Sequence, residues 1–314
     1  MRQAIAAWYR ARFTVGLDPE TEILPLIGSK EGIAHMPLAF INPQDIVLTP
    51  DPCYPPYRSG TLFAGGEPLA MPLLESHRFL PDLRAVNHHL LKRVKMMYLN
   101  YPNNPTSAVA PAGFFDEVVH FAGKHNIIVC QDAAYSEIMF DGYRAPSILE
   151  SDGAREIAIE FHSLSKTFNM TGWRLGFACG NARLIAALAR VKSNIDSGVF
   201  SAVQRAGIAA LENYDRHIGR LNRLYQERRD VLVEGLRSLG WHLDKPRATF
   251  YIWAKVPGRF TSALLAVEML EKADIVVTPG NGFGEHGEGY VRMALTVDKS
   301  RMREAVDRIR KRLA

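Results

Sequence analysis

Short runs rich in β-branched and other apolar residues alternate with amphipathic helical stretches through the first two thirds of this chain, and that alternation is its strongest constraint on fold. Residues 45–49, 94–99, 126–131, 157–162 and 176–179 have the length and composition of strands. Between them, residues 111–125 and 181–192 repeat apolar side chains at three- and four-residue spacing, and Pro111 suits a helix start. Strands separated by helices pair through crossovers rather than hairpins, which gives a mainly parallel sheet with both faces covered. The predicted class is α/β.

The pattern changes near Asn213. A long charged helix over residues 215–239 is followed by strand signals at 248–255, 275–278 and 290–296, a helix at 262–272, a Gly-rich loop and a closing helix. This predicts a large domain over residues 1–212 and a smaller C-terminal α+β domain over residues 213–314. Loop Gly280-Asn281-Gly282-Phe283-Gly284 is expected to be flexible.

Composition narrows the function classes. With 47% hydrophobic and 23% charged residues the chain has an ordinary globular make-up. The longest apolar stretch, around Leu184 to Val191, is interrupted by Arg183 and Arg190, so no membrane span is expected. The opening Met1-Arg2-Gln3-Ala4-Ile5-Ala6-Ala7-Trp8-Tyr9-Arg10 does not have the plan of a signal peptide. Cys53, Cys130 and Cys179 are odd in number and lack metal-ligand spacing, which suits a reducing, cytoplasmic setting and no metal centre. The net charge of +5 is spread along the chain rather than clustered, unlike a nucleic-acid binder. The densest basic run, Arg301 to Arg312, is interspersed with Glu304 and Asp307 and is expected to be a solvated helix face.

In an open α/β sheet, ligands bind beyond the carboxyl ends of the strands. Three polar segments fall there. Asn100-Tyr101-Pro102-Asn103-Asn104-Pro105-Thr106 follows one strand, Asp132-Ala133-Ala134-Tyr135 a second, and Ser163-Leu164-Ser165-Lys166 a third. A lysine is ordinarily a surface charge. Lys166 instead follows a strand, among Ser163, Ser165, Thr167 and Asn169, with Arg174 close behind. Hydroxyls and a guanidinium suit a phosphate, and a lysine beside them suits an aldehyde, so a phosphorylated aldehyde cofactor matches the set.

The run Ser163-Leu-Ser-Lys166-Thr-Phe-Asn-Met-Thr-Gly172-Trp-Arg174-Leu-Gly176 resembles the pyridoxal phosphate (PLP) attachment signature of class I and II aminotransferases, with Asn-Asn-Pro-Thr and Asp-x-x-Tyr in place upstream. The resemblance covers essentially the whole chain. Within the family, Ile27 to His35, Asn100 to Thr106 and Asn194 to Gly198 are most similar to LL-diaminopimelate aminotransferases. The resemblance implies the fold-type-I architecture, transamination between an L-amino acid and 2-oxoglutarate by a ping-pong mechanism, and a homodimer.

It also implies roles. Lys166 would hold PLP as a Schiff base and then act as general base, and Asp132 would pair with the pyridinium nitrogen. Taken alone, Asp132 reads as a helix cap, Asn104-Pro105 as a turn and Tyr135 as a core aromatic. In the family pattern Asn104 and Tyr135 would donate to the ring's phenolate oxygen, with Asn104 also near the substrate, and Tyr54 would stack on the ring, with Tyr57 as the alternative. Ser29 and Lys30 at a helix start, with Ser163 and Arg174, would cradle the phosphate. Arg292, unusual within an apolar strand, would bind the substrate α-carboxylate; a structural ion pair is its other reading.

Relative to the family the sequence starts late, and the N-terminal arm, a glycine strand on the substrate side and a tyrosine reaching the neighbouring subunit's phosphate are expected to be missing. Two alternatives therefore stand beside transamination. One is a catalytically impaired, shortened paralogue that binds PLP weakly or serves as a non-enzymatic partner. The other is a PLP-dependent β-lyase.

Overall fold

Which strands lie side by side decides where the polar strand ends meet. The computed structural model describes residues 1–313. The chain begins with α1 (Arg2–Phe13), β1 (Ile23–Leu26), α2 (Ser29–Phe40), β2 (Ile46–Asp51), α3 (Pro56–Phe63), β3 (Glu67–Pro72) and β4 (Val94–Leu99). It continues with α4 (Phe114–His125), β5 (Ile128–Asp132), α5 (Ala154–Ile157), β6 (Ala158–Ser163), α6 (Leu164–Thr167), β7 (Gly176–Gly180), α7 (Ala182–Ser193) and α8 (Ser201–Glu212). After Asn213 come α9 (Tyr214–Ser238), β8 (Tyr251–Lys255), α10 (Ser262–Ala273), β9 (Thr278–Pro279), β10 (Tyr290–Ala294) and α11 (Lys299–Arg312).

Strands β1 to β7 form one sheet in the order β1-β7-β6-β5-β4-β2-β3. The run from β3 through β6 is parallel, whereas β7 and β1 join antiparallel. The fold is thus the expected α/β architecture with a mainly parallel sheet. Successive residues of a strand face opposite sides, and in β4 Met97 and Leu99 point to one core while Met96 and Tyr98 point to the other. The first core is closed by Trp8, Tyr9 and Phe13 of α1 and Phe114, Phe115 and Val118 of α4; the second by Ile33 and Met36 of α2 and Leu184, Ile185 and Leu188 of α7.

The remaining strands form a separate antiparallel sheet, β8-β10-β9, backed by α9, α10 and α11. Its apolar core also takes in Tyr135, Ile138 and Phe140 from the segment after β5, so the two sheets share a packed seam. The basic run on α11 is solvated, as its charge pattern predicts: Glu304 pairs with Arg301 and Arg308, Asp307 with Arg310, and Met302, Val306 and Ile309 face inward. Among the described residues no helix is long and apolar enough to cross a membrane.

Three departures have local causes. Strands β1 and β3 carry no readable strand signal, because Pro25, Pro68 and Pro72 break it; both are edge strands, where a missing N–H costs no ladder bond. Helix α4 begins three residues after Pro111, since Gly113 takes a left-handed φ of 79° as its N-cap. The expected strand at 275–278 shrinks to Thr278–Pro279, because the Ile275 N–H is used on Met269 O in closing α10.

Candidate active site

Asp132 and Ser163 end the adjacent parallel strands β5 and β6, and Asn100 follows the end of β4, so the three polar segments meet at one edge of the sheet. Asn100 fastens two of them: its Nδ2 donates to Asp132 O at 2.6 Å, and its Oδ1 accepts from Asn104 N–H at 2.7 Å. Asn103 closes the same loop by accepting from Thr106 N–H at 3.0 Å and Thr106 Oγ1 at 2.7 Å. This self-capping satisfies backbone polar groups of a buried loop without using the Asn104 side chain.

Asp132 is buried, and burial pushes its carboxyl up to about 6. Hydrogen bonds oppose that rise. Tyr57 Oη donates to Oδ2 at 2.8 Å and Ala134 N–H to Oδ1 at 3.2 Å. The charges of His162 and Lys166 favour the carboxylate as well. Tyr57 is fully buried and stacked on Tyr98, with ring centroids 4.8 Å apart and an interplanar angle of 11°. A ring so enclosed has no exposed face. Tyr54, half-buried beside it in a T-shaped contact at 5.8 Å, keeps an open side.

Lys166 lies in the short helix α6 and is half-buried; its amine has no hydrogen-bond or ion-pair partner among the described residues and stands 5.6 Å from the Phe250 ring. Burial lowers its pKa most, Arg174 and Arg292 lower it further, and Asp132 acts in the opposite sense. Arg174 has a left-handed φ of 52° and donates to Thr171 O at 3.1 Å and Ser165 Oγ at 3.4 Å. Ser163, buried at the N-cap of α6, makes no side-chain capping bond.

The turn into α2 reaches the same place. Gly28 has φ of 76°, and a Cβ there would lie 2.5 Å from a guanidinium nitrogen of Arg174. Ser29 is the buried first residue of the helix, and Lys30 sends its amine to 6.0 Å from the Tyr54 ring. Two orphan helix N–H groups and two cations thus surround one spot.

From the other sheet, Arg292 on β10 donates to Asn104 Oδ1 at 2.7 Å, which leaves the Asn104 NH₂ as a free donor. Its guanidinium lies 4.2 Å from the Tyr251 ring and 4.7 Å from that of Phe283, and its Nε is buried without a partner. No carboxylate pairs with it among the described residues. Tyr135 Oη meets Tyr251 Oη at 3.2 Å beneath it. The Gly-rich 280–284 loop packs against the segment leading into α3. It folds into 3₁₀ turns held by Cys53 N–H to Phe283 O at 2.9 Å and by His286 Nδ1 to Asp51 at 2.8 Å.

Every singled-out residue therefore lies at this seam. Lys166, Asp132, Asn104, Tyr135, Tyr54 and Arg292 converge from one side, and Ser29, Lys30, Ser163 and Arg174 from the α2 side. Sequence reasoning missed Tyr57 as the partner of Asp132, Tyr251 and Phe283 as the walls around Arg292, and Phe250 beside Lys166. These aromatics carry no motif. The donor set fits PLP: an unpaired amine for an aldehyde, a buried carboxylate for a ring nitrogen, and cations with helix N–H groups for a phosphate.

The comparisons with known proteins agree. The family model for aminotransferase class I and II matches residues 1–309. An LL-diaminopimelate aminotransferase of Moorella thermoacetica is 59% identical over 310 residues, 99% of this chain and 80% of the relative. One from Syntrophobacter fumaroxidans is 56% identical over 98% of this chain and 79% of the relative. Among solved structures, BacF from Bacillus subtilis aligns with a TM-score of 0.96 at 41% identity, covering 99% of this chain and 79% of that one. The N-succinyldiaminopimelate aminotransferase of Mycobacterium tuberculosis aligns with a TM-score of 0.91 at 30% identity, over 98% and 82%. The chain belongs to the class I and II aminotransferases and is a pyridoxal-phosphate-dependent enzyme of that family.

Proposed function

We propose that this aminotransferase moves the amino group of LL-diaminopimelate, or of an L-amino acid of similar shape, to 2-oxoglutarate. The observation that carries the chemistry is the unpaired, half-buried Lys166 amine set between Arg174, Asp132 and Arg292. The donor class rests on the similarity to curated LL-diaminopimelate aminotransferases, and the same similarity favours transamination over a β-lyase or a non-catalytic paralogue. Residues 1–212 serve as the PLP-binding domain and 213–314 as the small domain, divided at Asn213 between α8 and α9.

When bound, PLP supplies an aldehyde that condenses with amines and a ring that accepts the electrons of a broken Cα–H bond. Lys166 would hold the cofactor by its aldehyde carbon. With its amine free, Lys166 would act as the base that takes the proton from the substrate Cα. Asp132 holds the proton on the ring nitrogen. The Asn104 NH₂ and Tyr135 hydroxyl donate to the ring oxygen, Tyr54 covers a ring face, and Ser29, Lys30, Ser163 and Arg174 hold the phosphate. Arg292 grips the α-carboxylate with its guanidinium. Donor and acceptor use one site in turn, which gives ping-pong kinetics.

We further propose a cytoplasmic homodimer. Phe63, Trp173, Ile195 and Phe200 are exposed large apolar side chains, and the three cysteines are free. Sedimentation should give twice the chain mass of 35.1 kDa.

The deciding experiment offers LL-diaminopimelate, glutamate, aspartate, alanine and aromatic amino acids with 2-oxoglutarate. LL-diaminopimelate should be the preferred donor, with parallel double-reciprocal plots and no ammonia release. Ammonia from a donor bearing a β leaving group, without glutamate formation, would establish the lyase instead. In the same assay Arg292→Ala should raise KM for both donor and acceptor roughly 10- to 100-fold, the loss of one charge-assisted hydrogen-bonded contact.

A further inference from the structure

We infer that Lys192 is a positioning residue for the cofactor phosphate, acting through Glu31. The inference rests on the reading of Ser29, Lys30 and Arg174 as the phosphate cradle.

Lys192, in the last turn of α7, has a side chain only 8% exposed. Its ammonium lies 2.9 and 3.1 Å from the two carboxylate oxygens of Glu31, and 2.7 and 2.8 Å from those of Asp196. A buried ammonium is costly unless it is paired, and here two carboxylates fill its shell. Glu31 is the third residue of α2, next to the two residues of the cradle. Its Oε2 also accepts from Ile27 N–H at 2.6 Å, pinning the chain just before Gly28.

The turn is fixed from the other side as well. A Cβ on Gly176 of β7 would lie 2.6 Å from Ser29 N, and one on Gly28 would meet Arg174. The turn is therefore clasped between Glu31 on one side and β7 with Arg174 on the other. Its orientation determines where the first N–H groups of α2 point.

Glu31 brings a difficulty with it. A carboxylate in the first helical turn suits the helix dipole, but it repels a phosphate dianion bound at the same helix end. Lys192 lowers the charge of the Glu31–Asp196 pair from −2 to −1 while leaving the Glu31–Ile27 hydrogen bond intact. Asp196 completes the shell and accepts from Gly198 N–H at 2.7 Å, and His35 Nδ1 lies 3.8 Å from Glu31. The ammonium thus allows one carboxylate both to shape the turn and to tolerate the anion.

The test compares two aldehydes that differ only in the phosphate. Affinities for PLP and for pyridoxal are measured by the visible absorbance that forms on the enzyme, alongside thermal unfolding. Lys192→Met should weaken PLP on the order of tenfold and leave pyridoxal unchanged, so the PLP-to-pyridoxal ratio falls. Glu31→Gln keeps an acceptor for Ile27 and removes a negative charge, so that ratio should rise. An equal loss for both aldehydes, no loss in Lys192→Met, or a lower ratio in Glu31→Gln overturns the inference. Arg174→Gln separates the two levels. If its ratio is unchanged, the cradle reading itself is wrong; if its ratio falls while that of Lys192→Met does not, only the role of Lys192 fails.

Discussion

Lys166→Ala should lose at least about 10⁴-fold in turnover, because one amine both holds the aldehyde and moves the Cα proton. The Lys166 amine is unpaired among the described residues and its pKa is lowered, first by burial and then by Arg174. Both effects enlarge the neutral fraction that can act as nucleophile or base. The variant should still bind PLP through the cradle but lack the visible absorbance of the lysine-linked cofactor. Lys166→Arg should fail as well, since a guanidinium stays protonated at any working pH. Single-turnover measurements with a pre-aminated cofactor would isolate the proton-transfer step. Wild-type rates in Lys166→Ala would remove Lys166 from the chemistry altogether.

Asp132→Asn should have two opposite effects. Turnover should fall about 10²- to 10³-fold, the scale for removing one preorganised electrostatic partner of the reacting group. The cofactor-free protein should become more stable at neutral pH. Burial raises the Asp132 carboxyl from 3.8 to about 6 in the folded chain, so folding favours its neutral form. The penalty is absent below about 4, grows through the window from about 4 to 6, and is fully felt above it. Its size is about 2 pK units at about 1.4 kcal/mol each, or about 3 kcal/mol. Asparagine carries no charge and can still accept from Tyr57, but it gives up the bond from Ala134 N–H, so the measured gain should be smaller than that figure. Urea unfolding of the cofactor-free proteins at pH 4.0 and 7.5 checks this: the wild type should lose stability relative to the variant as pH rises. A variant equally or less stable at pH 7.5 would contradict it. A site that stores such strain is organised for a ligand that relieves it, and a protonated ring nitrogen would do so.

Much of this site could be read from single residues because their type conflicts with their surroundings. A lysine after a buried strand, an arginine inside an apolar strand and an aspartate at a strand end all require a partner, and the requirement shows in the local sequence. The partners themselves do not show. Tyr54 and Tyr57 are three residues apart in one Pro-rich segment, and only the fold puts one at the open cleft and the other beneath Asp132. The hydrogen bond from Arg174 to the Ser165 hydroxyl likewise appears only in the fold. The Gly-rich 280–284 segment carries no sign in its own sequence of the long-range contacts it and its neighbour His286 make with Cys53 and Asp51, more than two hundred residues earlier.

By itself the sequence determined the mainly parallel sheet, the three polar strand ends and the Lys166 signature, because periodicity, capping and motif spacing are properties of neighbours along the chain. The tertiary structure alone decided the edge strands β1 and β3, the enclosure of Tyr57, the pairing of Arg292 with Asn104, and the burial of Lys192 between Glu31 and Asp196. Those contacts join residues distant in sequence, and their strength comes from burial and from distances of about 3 Å. Both arise only once the sheets have packed.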